Sequence, residues 1–264
     1  MNRYLLFFTT IMCMWTAWAC TEQQNNPQSS PDTAQSIVDS CISVHGGDNY
    51  LQARISFDFR GRSYTSIRRG GQYQYERSFV NPRDSLEYIH DVLSNEGFYR
   101  EINGERQIIA DSFVNKYSNA LNSVIYFACL PYGLNDGAVY KKYIGEVSIK
   151  DEPYHKVQIS FDEEGGGEDF DDVFIYWIHT KTYQMDYLAY RYHVNGGGVR
   201  FREAYHQREV GGIRFADYVN YKMDKTLDLS EIDKYFEAGV LSKLSLIELE
   251  NLTVEKTSPE VISK

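Results

Sequence analysis

Few residues in this chain have the types and spacing that chemistry needs. EEGGGEDFDD, residues 163–172, sets Glu163, Glu164, Glu168, Asp169, Asp171 and Asp172 around three glycines. Hard cations such as calcium take several oxygen ligands from a flexible loop, so this stretch is a candidate metal site. Its spacing does not match an EF-hand, and a solvated acidic hairpin loop is the alternative. His206 and Asp217 form a second candidate. A two-residue turn at Gly211-Gly212 would set them face to face across a hairpin, near Arg202, Arg208 and Tyr221. A carboxylate there could orient an imidazole for acid–base work, although an ordinary cross-strand polar pair explains the same pattern. The chain contains no HExxH, GxSxG, Walker loop or GxGxxG, so no catalytic residue is assigned and no cofactor is expected.

Cys20 offers chemistry of another kind. Arg3 is followed by an apolar run, Leu5 to Trp15, broken only by Thr9 and Thr10, and then by Ala17-Trp18-Ala19. A basic start, a short apolar core and a small-x-small end make residues 1–19 a secretory signal, too short for a stable membrane span. Ala17 and Ala19 fit the small-residue positions that precede an acylated cysteine, with Trp18 an unusual occupant between them. Residues 20–31, a lipidated Cys20 followed by TEQQNNPQSSPD, then form a polar tether. Plain secretion, with Cys20 incidental, is the alternative. Several acyl chains hold a protein stably at a membrane where one does not. The expected location is therefore the cell envelope, as a periplasm-facing or surface-exposed outer-membrane lipoprotein. Cys41 and Cys129 fall on apolar helical faces, and either buried thiols or a disulfide between two helices would suit them.

The formal charge is −10, and removing residues 1–19 takes away only Arg3. So acidic a domain argues against nucleic acid and against a basic membrane-binding face. Membrane contact is expected through the N-terminal lipid, and the protein is expected to be a monomer. Tyrosine occurs 22 times and glycine 19 times, a composition of many strands and turns.

The elements that must position these residues follow from periodicity. Residues 32–45 form an amphipathic helix with Asp32 and Gln35 as a capping box and Gly46-Gly47 as its stop. Period-two stretches follow from residue 55, with Asn103-Gly104 as a hairpin turn. Residues 111–131 carry a long helical stripe, started by Asp111 and ended by Pro131. Strands resume to about residue 224, with a hairpin around Asp151-Glu152-Pro153. Residues 172–180 are apolar on both faces, which predicts a central, covered strand. A short helix at 230–239 and a last strand complete the chain. Without βαβ alternation, parallel folds are excluded. The expectation is one α+β domain over residues 32–257, a large curved antiparallel sheet with helices packed on its concave side, and a C-terminal tail at 258–264.

HGGDNYLQARISFDFR, residues 45–60, resembles the helix-Gly-Gly-strand entry of lipoprotein-carrier domains of the LolA/LolB type. LNSVIYFACLPYGLND, DDVFIYWIHTKTYQMDYLAY and FREAYHQREVGGIRFADYVNYK are similar to an uncharacterised family of Bacteroidota-type lipoproteins. The family likeness implies no activity. The carrier likeness implies a half-open barrel lined by apolar and aromatic side chains, with helices as a lid. A deoxyribose-phosphate aldolase label carried by some relatives finds no support, since neither a parallel barrel nor a Schiff-base lysine can be placed.

Tyr73, Tyr75, Phe79, Tyr126, Trp177, Tyr187 and Tyr190 are the candidate lining of such a half-barrel, able to bury an acyl chain or another apolar ligand. The same residues could equally fill a closed core. Three functions remain open. They are an envelope lipoprotein binding or carrying an apolar or amphipathic ligand, a filled-core module binding protein or glycan, and a hydrolase or aldolase-like enzyme.

Overall fold

The computed structural model of the chain describes residues 31–162, 172–193 and 196–257. It opens with helix α1 (Pro31–His45), a 3₁₀ turn (Gly47–Gln52) and six strands: β1 (Ala53–Phe59), β2 (Arg62–Arg69), β3 (Gln72–Asn81), β4 (Asp84–Ser94), β5 (Gly97–Ile102) and β6 (Glu105–Arg106). Helix α2 (Asp111–Ala128) interrupts the strands. Then come β7 (Val139–Ile149), β8 (Glu152–Phe161), β9 (Val173–His179), β10 (Met185–Tyr192), β11 (Gly198–Val210) and β12 (Ile213–Met223), the short helix α3 (Ile232–Glu237), β13 (Ser242–Ile247) and β14 (Glu250–Lys256).

The α+β antiparallel architecture is the expected one, and its strands fall into two sheets of seven. One runs β14-β1-β2-β3-β4-β5-β6 and the other β13-β12-β11-β10-β9-β8-β7. The sheets meet at the C-terminal segment, whose first half pairs with β12 and second half with β1. β6 and β7, at the far edges, do not pair, so the sheets stay open rather than closing into a barrel.

Most boundaries match the turn chemistry. Asn103 and Gly104 both take positive φ between β5 and β6, as a two-residue hairpin turn demands. Gly211-Gly212 does the same between β11 and β12, where a Cβ on Gly211 would stand 2.7 Å from Val254 of β14. The β7–β8 turn lies at Lys150-Asp151, one to two residues before the expected place, because these two residues adopt the left-handed region and Pro153 joins the strand. α2 starts from Ala110 without a side-chain cap. Gln35 donates to Asp39 and Asn135, both at 2.8 Å. α3 is preceded by a 3₁₀ turn capped by Asp228, not by Ser230.

The place where the last strand changes sheets is held by side chains. Asp217 of β12, 4% exposed, accepts the Leu249 N–H at 3.0 Å, pairs with Arg208 at 3.1 Å and lies 2.7 Å from His206 Nδ1. Arg208 in turn donates to the Leu249 carbonyl at 2.7 Å. Both backbone groups lost to the ladder at Leu249 thus find partners, as buried backbone must. A bulge between Tyr205 and Arg208, with His206 at φ 48°, lets β11 supply two of these groups. The His206–Asp217 pair is a structural corner.

Apolar burial is divided between the two faces of the second sheet. α1 covers the inner face through Ala34, Ile37, Val38 and Cys41. α3 covers the outer face, where Phe236 packs on Phe201 and Tyr187 with ring centroids 4.6 and 5.8 Å apart. Lys156, buried under Trp177, fastens α3 through Asp233 at 2.6 Å and the Ser230 carbonyl.

Two predictions follow from these contacts. Asp217→Ala leaves Arg208 and the Leu249 N–H without their partner and should cost about 3 kcal/mol in urea unfolding. His45 is buried at the end of α1 with Nδ1–H donating to the Cys41 carbonyl at 2.8 Å, and burial holds its pKa down to about 4 from 6.5. The unfolded chain therefore takes up a proton that the folded chain refuses. The stability this confers is complete above pH 6.5 and is lost as pH falls towards 4. His45→Gln should remove on the order of 3 kcal/mol of that acid loss, read from unfolding curves at pH 7.5 and pH 4.

Candidate functional site

α2 crosses the inner face between the two sheets. Leu121 and Ile125, one helical turn apart, bury against Ile55, Phe57 and Tyr64 of the first sheet. Its early turns are held by Tyr117, which lies under the Arg100 guanidinium at 3.7 Å. Arg100 is itself fixed by Asp91, fully buried between Arg100 and Arg77 on neighbouring strands. Leu130-Pro131 ends the helical run, since proline cannot continue it.

On either side of α2 the inner face is not filled. A cavity of about 600 Å³ lies between α2 and strands β9–β13, with Val124, Phe127, Phe174, Tyr190 and Tyr218 among its walls. A second, of about 590 Å³, lies between α2 and strands β2, β3 and β7–β9, walled by Tyr73, Tyr75, Tyr126, Tyr132 and Phe161. Ser123, Phe127 and Phe174 border both. Each volume falls in the range, ~300–1,000 Å³, that small-molecule ligands occupy.

Polar groups stand among the aromatic rings of these walls: Arg68 and Arg202 are buried, whereas Arg60, Asn122, Ser123 and Asp136 are exposed. In the second hollow Arg68, 7% exposed, donates to the Tyr75 hydroxyl at 2.6 Å and stacks 4.1 Å over Tyr132. Burial pushes Tyr75 and Tyr126 up to about 12, so both hydroxyls keep their protons. Tyr126 and Tyr176 share a hydrogen bond of 3.3 Å. Desolvation also raises Asp136 in that hollow, against the opposing pull of Arg68. In the first hollow Arg202, 8% exposed, donates to the Tyr190 hydroxyl at 2.9 Å and lies 4.0 Å over Phe127.

The candidate lining residues are placed as follows. Tyr73, Tyr75 and Tyr126 come together in the second hollow, and Tyr190 stands in the first. Phe79 lies farther along β3 between Arg62 and Arg77 and lines neither. Trp177 and Tyr187 are on the outer face, in the closed cluster under α3, because β9 alternates and sends Phe174, Tyr176 and Ile178 inward. Arg68, Phe127, Phe174, Arg200 and Arg202 are lining residues that apolar alternation did not single out. Arg202 does not join the His206–Asp217 corner, and Tyr221 bonds Glu203 instead.

Of the candidate metal loop, Glu163, Glu164, Glu168, Asp169 and Asp171 lie outside the described residues, as does Cys20. Asp172 is buried at the wall of the first hollow, 3.3 Å from His193 Nδ1. Among the described residues no group of three or more His, Cys, Asp or Glu converges to hold a metal ion.

A family model for a family of unknown function matches residues 26–249. The chain belongs to that family, DUF6503. No curated protein matches it. Among solved structures it is similar to a LolA superfamily protein from Nitrosomonas europaea, at 9% identity and a TM-score of 0.49, over 88% of this chain and 97% of that one. It is also similar to a DUF1329 family protein from Desulfovibrio piger, at 14% identity and a TM-score of 0.45, over 79% of this chain and 99% of that one.

Cys41 and Cys129 are buried free thiols, and burial pushes the pKa of each above its ordinary value. Neither should react with a maleimide at pH 7.5 in the folded protein, and both should react in urea, as counted by mass spectrometry.

Proposed function

We propose that the protein binds or carries an apolar or amphipathic ligand in the hollows beside α2, while Cys20 and its tether hold it at a membrane of the cell envelope. One observation carries this reading. The outer face of the second sheet is packed shut by α3, whereas the inner face leaves two cavities of ligand size with aromatic rings in their walls. Hollows of that volume weigh against a filled-core interaction module. The carrier-like entry at residues 45–60 agrees with this reading and does not carry it.

Native mass spectrometry of residues 21–264, expressed in the periplasm and purified without detergent, should show an added mass that extracts into organic solvent. Ala216, on the wall of the first hollow, offers a way to fill it: Ala216→Trp should lower the bound fraction without loss of fold. A bare protein mass, together with no uptake of acyl probes, would overturn the reading. For the anchor, Cys20→Ser in the full chain should move the protein from the membrane fraction to the soluble one.

A further inference from the structure

The first hollow contains an arginine that no carboxylate among the described residues neutralises. Arg202 is 8% exposed, its Nε has no hydrogen-bond partner, and among the described residues no carboxylate pairs with it. Its fixed contacts are the Tyr190 hydroxyl and the faces of Phe127 and Tyr190. Arginine is almost never this buried without a counter-charge, because leaving water costs a charge far more than ring contacts return. Arg200, two residues earlier on the same face of β11, lines the same hollow. It donates to the Tyr192 hydroxyl at 2.7 Å and to the Val199 carbonyl, again with no carboxylate. Arg60 adds a third positive charge where β1 ends, stacked on Phe59. The acid of the hollow, Asp172, faces His193. Among the described lining residues positive charge is therefore in excess, in an otherwise largely apolar cavity. The second hollow is less one-sided, since Asp136 accompanies Arg68 there.

We propose that the first hollow is a site for an anionic amphiphile, with its carboxylate or phosphate headgroup on Arg202 and Arg200 and its acyl part along Phe127, Phe174 and Tyr218. This deepens the carrier reading and rests on it. The planar guanidinium of Arg202 suits an oxyanion with two acceptor oxygens. The Tyr190 and Phe127 rings hold that plane in place before the ligand arrives, so little ordering is left to binding.

The test uses residues 21–264, stripped of bound lipid, titrated with cis-parinaric acid and with its methyl ester, which differ only in headgroup charge. The wild-type protein should bind the acid about tenfold to a hundredfold more tightly than the ester, the range expected of a charge-assisted hydrogen bond. Arg202→Met should bring the acid down to the affinity of the ester and leave ester binding unchanged, while Arg202→Lys should keep part of the preference. Should Arg202→Met fail to fold, Arg200→Met and the wild-type acid-to-ester ratio still decide the question. Displacement by oleate and by lysophosphatidylglycerol identifies the source of the headgroup, a free fatty acid or a phospholipid, and stronger displacement by either supports the site. Equal binding of acid and ester by the wild-type protein overturns the headgroup site and leaves the carrier reading standing. Binding of neither probe overturns that reading as well.

Discussion

Leu249 stands where the C-terminal strand leaves one sheet for the other, and its N–H and C=O have no place in either ladder. Asp217 takes the first and Arg208 the second. A buried peptide group without a partner is costly, so the change of sheets is possible only where a carboxylate and a guanidinium meet it. The bulge at His206 is the local device that delivers them. With this corner in place, the sheets of β1 and of β12 share one strand segment and enclose a common inner face. α2 crosses that face, and the hollows on either side of it exist because one helix cannot fill a space two sheets wide.

The two faces of the second sheet show different solutions to burial. Outside, Trp177, Tyr187, Phe201 and Phe236 interlock in offset and edge-on contacts, and Lys156 locks α3 down with an ion pair. Inside, the large rings of Phe127, Phe174 and Tyr190 touch one another, at 5.2 to 6.2 Å, yet leave space beside them. Close packing is the rule in protein interiors.

Much of this was legible in the sequence, for reasons that are local. Asn103-Gly104 and Gly211-Gly212 specify tight hairpins by their need for positive φ. The apolar run in β9 specifies a strand covered on both faces. The helical stripe of α2, and the proline that ends it, need no tertiary context. What was not legible depends on distant partners. LSKLSLIELENLTVEK was expected as one last strand although its period two slips at Leu246-Ile247 and again between Leu249 and Leu252, and its division into β13 and β14 is fixed by Asp217, 32 positions away. Residues 172–180 are apolar on both faces, so alternation did not say which face would stay open, and Trp177 and Tyr187 were grouped with Tyr190, which lies on the other side of the sheet. Arg202 has the composition of a surface residue and is buried only because Phe127, from a different part of the chain, lies across it.

The central claim is that the inner face is open where the outer face is closed. A crystal of residues 21–264 stripped of lipid and pressurised with xenon measures this directly, because xenon enters apolar voids and not packed clusters. The account predicts xenon beside Phe127 on both sides of α2 and none around Trp177. An inner face without xenon, with Phe127 and Tyr190 collapsed into the space, would contradict it.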